Sequence, residues 1–298
     1  MSQPIHYSAC PVCGSSSIHP ALTANDHTVS SQAFQIAECS KCSLRFTQDV
    51  PAADDIGRYY QSENYISHTD TSEGLVNRLY QRVRKRTLRQ KRKLVEVYTG
   101  KSNGSVLDIG SGVGAFTSEM AAHGWKATGL EPDDGARKVA LESYGVRLEE
   151  PSALFSFPAE TFDAITLWHV LEHVHELERY IETIKRLLRS DGRIFIAVPN
   201  YTSLDAKVYD RFWAAYDVPR HLYHFSPSAM QTLIKTAGMQ VETLGPMWFD
   251  SFYVSLLSSR YKNGKTNWPG ALWAALRSNM NTLADRSRCS SIIYIVRK

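Results

Sequence analysis

The sequence lacks the features that would assign it to a membrane, a secretory pathway or a repeat architecture. No uncharged apolar run approaches the eighteen or so residues of a membrane span. Residues 1–6 contain no basic stretch followed by an apolar one, which a signal peptide needs. The 298 residues show no internal repeat and no low-complexity tract. We therefore expect a cytoplasmic chain with one main domain, a smaller appendage and no transmembrane span.

Cysteine is also scarce, and its spacing is more informative than its number. Four of the five cysteines form two C-x-x-C pairs, Cys10 with Cys13 and Cys39 with Cys42. Each pair predicts a zinc knuckle, a tight turn that aims two thiolates at one ion, and two knuckles make a closed, structural four-sulfur site. Four unrelated cysteines or a redox dithiol are the alternatives, although two matched pairs exceed what redox chemistry needs. The pattern predicts a zinc ribbon with a small hairpin around residues 34–37.

Charge is mild overall but uneven along the chain. The net charge of +4 does not by itself require a nucleic-acid partner. Residues 78–93, in a segment with helical apolar spacing, hold nine lysines or arginines and no acid. A solvated helix face explains such a run, and binding to RNA phosphates or to an anionic membrane surface are the alternatives. We predict three segments: a zinc ribbon (1–50), a tyrosine-rich connector with the basic helix (51–100) and the main domain (101–298).

The main domain is organised around residues 106–116, where an apolar strand runs into a glycine turn and then a helix. The turn contains Gly110, Gly112 and Gly114, and glycines let the backbone approach a ligand closely. The spacing also fits the dinucleotide fingerprint G-x-G-x-x-G/A. Asp108, two residues before the first glycine, opposes that interpretation because it would repel a pyrophosphate. A carboxylate there suits a ligand with an ammonium and a sulfonium group.

The next predicted strand ends at Glu131, where an acid can accept hydrogen bonds from both hydroxyls of a ribose. A ligand with a cationic end and a ribose is S-adenosylmethionine. At these residues the sequence resembles class I S-adenosylmethionine-dependent methyltransferases, and the resemblance extends over residues 102–298. It implies a doubly wound, Rossmann-like α/β domain with a seven-stranded sheet whose last two strands are antiparallel at the edge. The strands predicted from the sequence are 106–109, 126–131, 146–149, 162–167, 193–198, 239–244 and 291–296.

A second informative stretch follows the fourth predicted strand. His169, Glu172 and His173 spell H-x-x-E-H, which on a continuous helix binds zinc in the inverted zinc peptidases. Here the motif follows directly on a strand, and the next helix is predicted to begin near Glu176. The surrounding residues instead resemble the fourth strand and loop of small-molecule methyltransferases. That resemblance places Trp168 and His169 beside the cofactor and the transferred methyl, with the other two side chains bracing the loop.

A histidine-containing loop lies between an aromatic insertion and a predicted helix. The helix should begin with Ser226 as N-cap and Pro227 in its first position, so His221 and His224 precede it. The motif R-H-L-x-H-F-S resembles a subset of these methyltransferases, including relatives with an N-terminal zinc ribbon that methylate sugars on carbon. A histidine there can take a proton from a substrate hydroxyl or an acidic C–H. The catalytic candidates are His221 first, then His224 and His169; alternatively, the loop histidines only bridge the loop to the core.

These patterns together imply an enzyme, a methyltransferase that acts on a small molecule. The expected reaction is O-methylation of a phenolic or quinone-type acceptor or C-methylation of a sugar-type acceptor. The alternatives are an RNA methyltransferase that uses the ribbon and the basic helix, or a non-catalytic zinc-ribbon binding protein. The apolar segment 247–257, with Trp268, Trp273 and Leu276 beyond it, predicts a lid for a hydrophobic acceptor or a peripheral membrane contact. Packing between the last two strands would also explain it.

Overall fold

A computed structural model of the chain describes residues 3–60 and 75–298. Part of the predicted tyrosine-rich connector, including Tyr65, lies outside the described residues. The chain divides into two compact units. The first unit consists of Met1–Tyr65, His169–Tyr180 and Ile196–Tyr294, and the second of Ile66–Trp168, Ile181–Phe195 and Ile295–Lys298. The three segments drawn from the sequence stay a prediction.

The described residues form ten strands and eight α-helices. The strands are β1 (Ile18–Asn25), β2 (Ala33–Cys39), β3 (Arg45–Thr47), β4 (Gly104–Ile109), β5 (Trp125–Leu130), β6 (Phe162–Trp168), β7 (Leu188–Pro199), β8 (Tyr223–His224), β9 (Gln240–Pro246) and β10 (Ser291–Arg297). The helices are α1 (Leu75–Thr99), α2 (Ala115–Ala122), α3 (Asp134–Tyr144), α4 (Leu177–Leu187), α5 (Leu204–Tyr209), α6 (Pro227–Thr236), α7 (Asp250–Asn263) and α8 (Trp268–Ala284). In the ranges that the structure describes, no helix combines the length and the apolar character needed to cross a membrane.

Six strands form the larger sheet, in the order β5-β4-β6-β7-β10-β9. β4 lies parallel to both β5 and β6, which places Asp108 opposite Gly129 on one side and Thr166 on the other. Val106 and Leu107 are fully buried, as expected for a parallel strand covered on both faces. The Rossmann-like α/β class predicted from the sequence is confirmed, and the last two strands lie at one edge of the sheet.

The predicted third strand is wrong, so the sheet of the described chain has six strands instead of seven. Residues 146–149 contribute a single bridge, between Glu149 and Leu130. Glu149 N–H donates to Gly129 O, and Glu131 N–H donates to Glu149 O. Pro151 follows two residues later and has no N–H with which to extend the ladder. The apolar alternation of a short segment does not report how many partners it finds.

The first unit contains a four-stranded sheet in the order β1-β2-β3-β8. β1 and β2 form the predicted antiparallel hairpin, and β3 pairs with β2. The fourth strand comes from far along the chain: Arg45 lies opposite His224, and Phe46 opposite Tyr223. The predicted start of α6 is confirmed, because Ser226 Oγ accepts a 3.0 Å hydrogen bond from Ala229 N–H.

Candidate functional site

The glycine turn after β4 gives its three glycines different roles. Gly110 N–H donates to Leu130 O at 2.8 Å, which ties the turn to β5. Gly112 and Gly114 have φ angles of 54° and 76°, in the left-handed region that favours glycine. A Cβ on Gly114 would lie 2.7 Å from the side chain of Val146, whereas nothing lies within 4 Å of one on Gly112. Gly114 therefore permits close packing, and Gly112 leaves backbone open to a ligand.

A cavity of about 220 Å³ opens beside this turn in the second unit. Four of the predicted cofactor-binding residues line it, and three residues of α1 complete its wall. The lining includes Arg84, Leu88, Lys91, Asp108, Gly110, Ser111, Gly112, Val113, Ala115, Phe116 and Trp168. A separate cavity of about 350 Å³ in the first unit, which includes Lys207 and Arg288, contains none of the predicted site residues.

Asp108 lies buried at the end of β4, and its carboxylate is held by two hydroxyls. Thr166 Oγ1 donates to Oδ1 at 2.7 Å, and Thr117 Oγ1 donates to Oδ2 at 3.0 Å. Burial raises the pKa of Asp108 to about 6, although these two hydrogen bonds and the charge of Lys91 lower it. A carboxylate in this environment gains from a cationic partner, because the partner replaces lost hydration.

Glu131 lies just beyond β5 and is bound to the turn instead of lining the cavity. Its Oε2 accepts a 2.7 Å hydrogen bond from the N–H of Gly112, and its Oε1 accepts one of 3.1 Å from Asp133 N–H. The side chain is buried. It therefore fixes the glycine that faces the cavity, and its predicted contact with a ribose stays a prediction.

The basic helix contributes to the cavity in a way that the sequence analysis missed. Arg84, Leu88 and Lys91 follow one another at spacings of four and three, which puts them on one face of α1. Lys91 Nζ lies 4.3 Å from the centre of the Trp168 ring, and the indole Nε1–H is buried without a hydrogen-bond partner. The spacing of Arg84 and Lys91 along a predicted helix was the feature of the sequence that could have indicated this shared face. A bound ligand with an acceptor oxygen would satisfy the indole and the cations together.

The loop after β6 contains the histidine that follows Trp168. His169 has a φ of 59°; its Nε2 donates to Asp250 at 2.9 Å and its Nδ1 to Glu172 at 3.3 Å. Burial lowers the pKa of His169, but the two carboxylates outweigh it and raise the pKa to about 10. The ring is then a cation at neutral pH and does not accept a proton. The zinc-peptidase interpretation fails, because Leu171–His173 is a single 3-10 turn and α4 begins only at Leu177.

Three possible metal or proton ligands of the first unit lie close together, two in that loop and one in the loop before β8. The Glu172 carboxylate and one ring nitrogen each of His173 and His221 lie within 4.8 Å of one another, and Glu172 Oε2 is buried without a hydrogen-bond partner. The Nδ1 atoms donate to backbone carbonyls, from His173 to Arg220 at 3.0 Å and from His221 to Ala215 at 2.9 Å. Those bonds leave each Nε2 as an acceptor, able to take a proton or to join the carboxylate on a divalent cation.

His224 has a structural environment, unlike His221. Thr47 Oγ1 donates to the carbonyl of His221 at 2.8 Å, so it accepts the 3.1 Å bond from His224 Nε2–H. The ring is fully enclosed, and burial, then the neighbouring His221 and Arg45, lower the pKa of His224 well below its usual range. It stays neutral and holds β8 against β3. His221 and His224 could not be distinguished by sequence, but their hydrogen bonds differ and give them different environments.

The four cysteines of the knuckles meet as predicted. Cys10 Sγ lies 3.5 Å from Cys42 Sγ, and Cys13 Sγ lies 3.5 Å from Cys39 Sγ. All four sulfurs lie within 4.8 Å of one another. A tetrahedral zinc ion with Zn–S bonds of about 2.3 Å requires sulfurs about 3.8 Å apart. The donor set and its spacing therefore fit zinc.

Comparison with known proteins identifies the class of this chain. A family described as a methyltransferase domain matches residues 80–244, which is more than half of the chain. The mitochondrial ubiquinone biosynthesis O-methyltransferase of Bos taurus is 28% identical over 166 residues, covering 49% of this chain and 44% of that protein. The corresponding enzyme of Nitrosomonas europaea is 30% identical over 158 residues, covering 48% and 67%. The chain thus spans less than half the length of its bovine relative.

A solved structure supports the fold. The 1,6-didemethyltoxoflavin-N1-methyltransferase of Burkholderia thailandensis, solved with 1,6-didemethyltoxoflavin and S-adenosylhomocysteine, superimposes with a TM-score of 0.51 at 16% identity, covering 92% of this chain and 99% of that one. At this identity the likeness concerns the fold alone. Together with the family match, it leads to one conclusion: the chain belongs to the methyltransferase-domain family and has a Rossmann-like α/β methyltransferase fold.

Proposed function

We propose that the protein transfers a methyl group from S-adenosylmethionine to a hydroxyl of a small, hydrophobic acceptor. The observation that carries the proposal is the charge arrangement of the cavity in the second unit. Asp108 lies at one side of the glycine turn, and Arg84 and Lys91 belong to the opposing helix. This arrangement complements the zwitterionic methionine end of the cofactor, with its ammonium toward the carboxylate and its carboxylate toward the cations. When bound, S-adenosylmethionine would supply a sulfonium-bound methyl group for transfer to the acceptor oxygen, with S-adenosylhomocysteine as the leaving group.

The proposed base is His221, because its hydrogen bonding fixes which ring nitrogen carries the proton. Its Nδ1–H is committed to Ala215 O, so Nε2 has a free lone pair. His169 is held as a cation, and the unpaired nitrogen of His224, Nδ1, is buried, so neither ring offers an accessible lone pair. Trp168 lines the cofactor cavity, and Glu172, whose carboxylate lies within 4.8 Å of a ring nitrogen of His221, follows four residues later. As the acceptor oxygen bonds to the methyl carbon and the carbon–sulfur bond breaks, His221 Nε2 takes the hydroxyl proton.

The choice of an oxygen acceptor rests on the relatives. Both are named as O-methyltransferases of ubiquinone biosynthesis. A phenolic hydroxyl loses its proton more easily than an alcohol, which suits one histidine as the only base. C-methylation of a sugar-type acceptor is the competing reaction at the same cavity. We also propose that Cys10, Cys13, Cys39 and Cys42 hold a structural zinc ion, supported by the spacing of their sulfurs.

The test combines acceptors with variants. The zinc-loaded protein is incubated with S-adenosylmethionine and a catechol, a prenylated catechol or a nucleotide sugar, while S-adenosylhomocysteine is quantified and the methylated atom is located by NMR. His221→Gln should lower turnover by about 10²- to 10⁴-fold and leave cofactor affinity unchanged. His224→Gln is the comparison, with a loss of stability as its main effect. Turnover with the nucleotide sugar alone would overturn O-methylation, and full activity of His221→Gln would overturn the assignment of the base.

A further inference from the structure

Helices α7 and α8 are in contact, and the buried residues of both helices are small. Ser251, Ser255 and Ser258 of α7 are buried, as are Ala275 and Ser278 of α8. Hydrogen bonds fix the pair as well, since Ser251 Oγ bonds to Asn279 Oδ1 at 3.0 Å and Asn279 Nδ2 donates to the carbonyl of Trp248 at 2.9 Å. Small side chains on the inner face leave the large ones of the hairpin on the outside.

The outer face of α8 carries the largest apolar side chains of this hairpin. Nine of the thirteen large apolar residues exposed in the described chain lie between Trp248 and Leu283. Six of them belong to α8: Trp268, Leu272, Trp273, Leu276, Met280 and Leu283. At 100° per residue they cover one continuous side of the helix, away from the buried alanines and serines. Trp273 is 62% exposed and Leu283 is 77% exposed, so this face is not covered by the fold. We call these six residues the apolar face.

The charges that flank the apolar face are mostly of one sign. Between residues 248 and 288 the chain has six lysines or arginines and two aspartates. All six cations are exposed, including Lys262 and Lys265 in and beyond the end of α7 and Arg277 on α8 itself. The two acids are engaged locally, Asp250 with His169 and Asp285 with Arg288. The segment that carries the apolar face is therefore rich in exposed cations and poor in acids.

We propose that the apolar face docks on an anionic lipid surface. Tryptophan with leucine on one helix face and basic residues beside it match the chemistry of an interfacial helix, whose apolar side enters the boundary between headgroups and acyl chains. A second copy of this chain is disfavoured by charge, because a twofold contact through α8 brings Arg277 and its neighbours toward their own copies. Lipid phosphates complement the same cations. Docking here would bring the enzyme to acceptors that reside in a membrane.

The experiment measures binding of the full, zinc-loaded chain to vesicles. Sedimentation with phosphatidylcholine vesicles is compared with vesicles that contain phosphatidylglycerol as well, and tryptophan fluorescence reports burial of the indoles. We expect at least tenfold tighter binding to the anionic vesicles. Trp273→Ser with Leu276→Ser should abolish it, whereas Val97→Ser with Leu141→Ser, exposed apolar residues outside the patch, should not. Lys262→Gln with Lys265→Gln should weaken binding about fivefold for each charge removed and reduce its salt dependence.

Several outcomes would overturn the proposal. The first is absence of binding to either vesicle, and the second is equal loss in the Val97 and Leu141 control. Concentration-dependent dimerisation that disappears in the Trp273 and Leu276 variant, without vesicle binding, would assign the face to a second copy. Cofactor affinity, measured in the same variants, shows that they remain folded.

Discussion

Replacing Asp108 by asparagine should stabilise the cofactor-free protein and weaken its cofactor binding at the same time. Burial raises the pKa of this carboxyl from 3.8 to about 6, against the opposing hydrogen bonds of Thr166 and Thr117. Each pKa unit corresponds to about 1.4 kcal/mol, so the ionised side chain costs the folded state about 3 kcal/mol at neutral pH. Asparagine has the same shape, carries no charge and can keep both hydroxyl partners. The variant avoids this cost.

The stability gained by replacing Asp108 with asparagine should increase as pH rises. Because the pKa is higher in the folded state than in the unfolded chain, protonation favours the fold, and the wild-type protein loses stability as pH rises from about 4 to about 6. The variant has no such group. We expect its advantage in the free energy of unfolding to grow by about 2 kcal/mol between pH 4.5 and 7.5. Urea unfolding across this range measures it, with Asp134→Asn, whose side chain is exposed, as the control.

Cofactor binding should change in the opposite sense. A hydrogen bond to a charged group contributes about 1.5 to 3 kcal/mol, so loss of the Asp108 carboxylate should weaken binding of S-adenosylmethionine about 10- to 150-fold in calorimetry. Below pH 6 the wild-type affinity should fall, because the proton competes with the cofactor's ammonium. A variant that is less stable at pH 7.5, or that keeps wild-type affinity, would refute this account of the site.

Three further predictions concern the packing that supports the site. Arg220→Met should lower the free energy of unfolding by about 3 to 5 kcal/mol. The Arg220 guanidinium is fully buried, pairs with Asp26 and Asp217, and donates to Tyr59 O. The control is Arg179→Met, in an exposed ion pair, which should lower the free energy of unfolding by under about 1 kcal/mol. Gly114→Ala should lower stability, measured by urea unfolding, more than Gly112→Ala does. Of these two glycines, Gly114 alone has neighbours within 3 Å of the position that a Cβ would occupy. Gly112→Ala should instead weaken cofactor binding in calorimetry. Zinc removal by a chelator should reduce methyl transfer while S-adenosylhomocysteine binding persists, because no cysteine of the knuckles lines the cofactor cavity; equal loss of both would contradict this prediction.

Local patterns predicted the parts of the fold that depend on neighbouring residues. The strand, glycine turn and helix at residues 106–116 follow from burial of a short apolar run and from glycines at positive φ. Ser226 caps α6 through a hydrogen bond to Ala229, three residues away. The same reasoning gave a wrong strand at residues 146–149. A strand needs a partner along its whole length, and in this segment only Glu149 has one.

The candidate site was predicted in part, and the missing parts depend on distant contacts. Asp108, Gly110, Gly112 and Trp168 line one cavity as the motifs suggested. The sequence offered no way to rank the three candidate histidines, because the hydrogen bonds of each ring depend on residues far away along the chain, such as Asp250 for His169 and Thr47 for His224. The pairing of β8 with β3 could not be predicted from the sequence either, because a two-residue strand carries no periodicity.

That pairing would give the proposed zinc ribbon a role in the proposed reaction. Thr47 ends β3 and contacts the histidine loop three times: its N–H donates to Leu222 O, its hydroxyl donates to His221 O, and the same hydroxyl accepts from His224. The backbone that carries the proposed base is therefore fixed by the ribbon's last strand. The metal, by holding the knuckle at Cys39 and Cys42 just before that strand, would stabilise the position of His221 without touching the acceptor. On this argument the ribbon positions the proposed base, and loss of the ribbon should reduce turnover before it reduces cofactor binding.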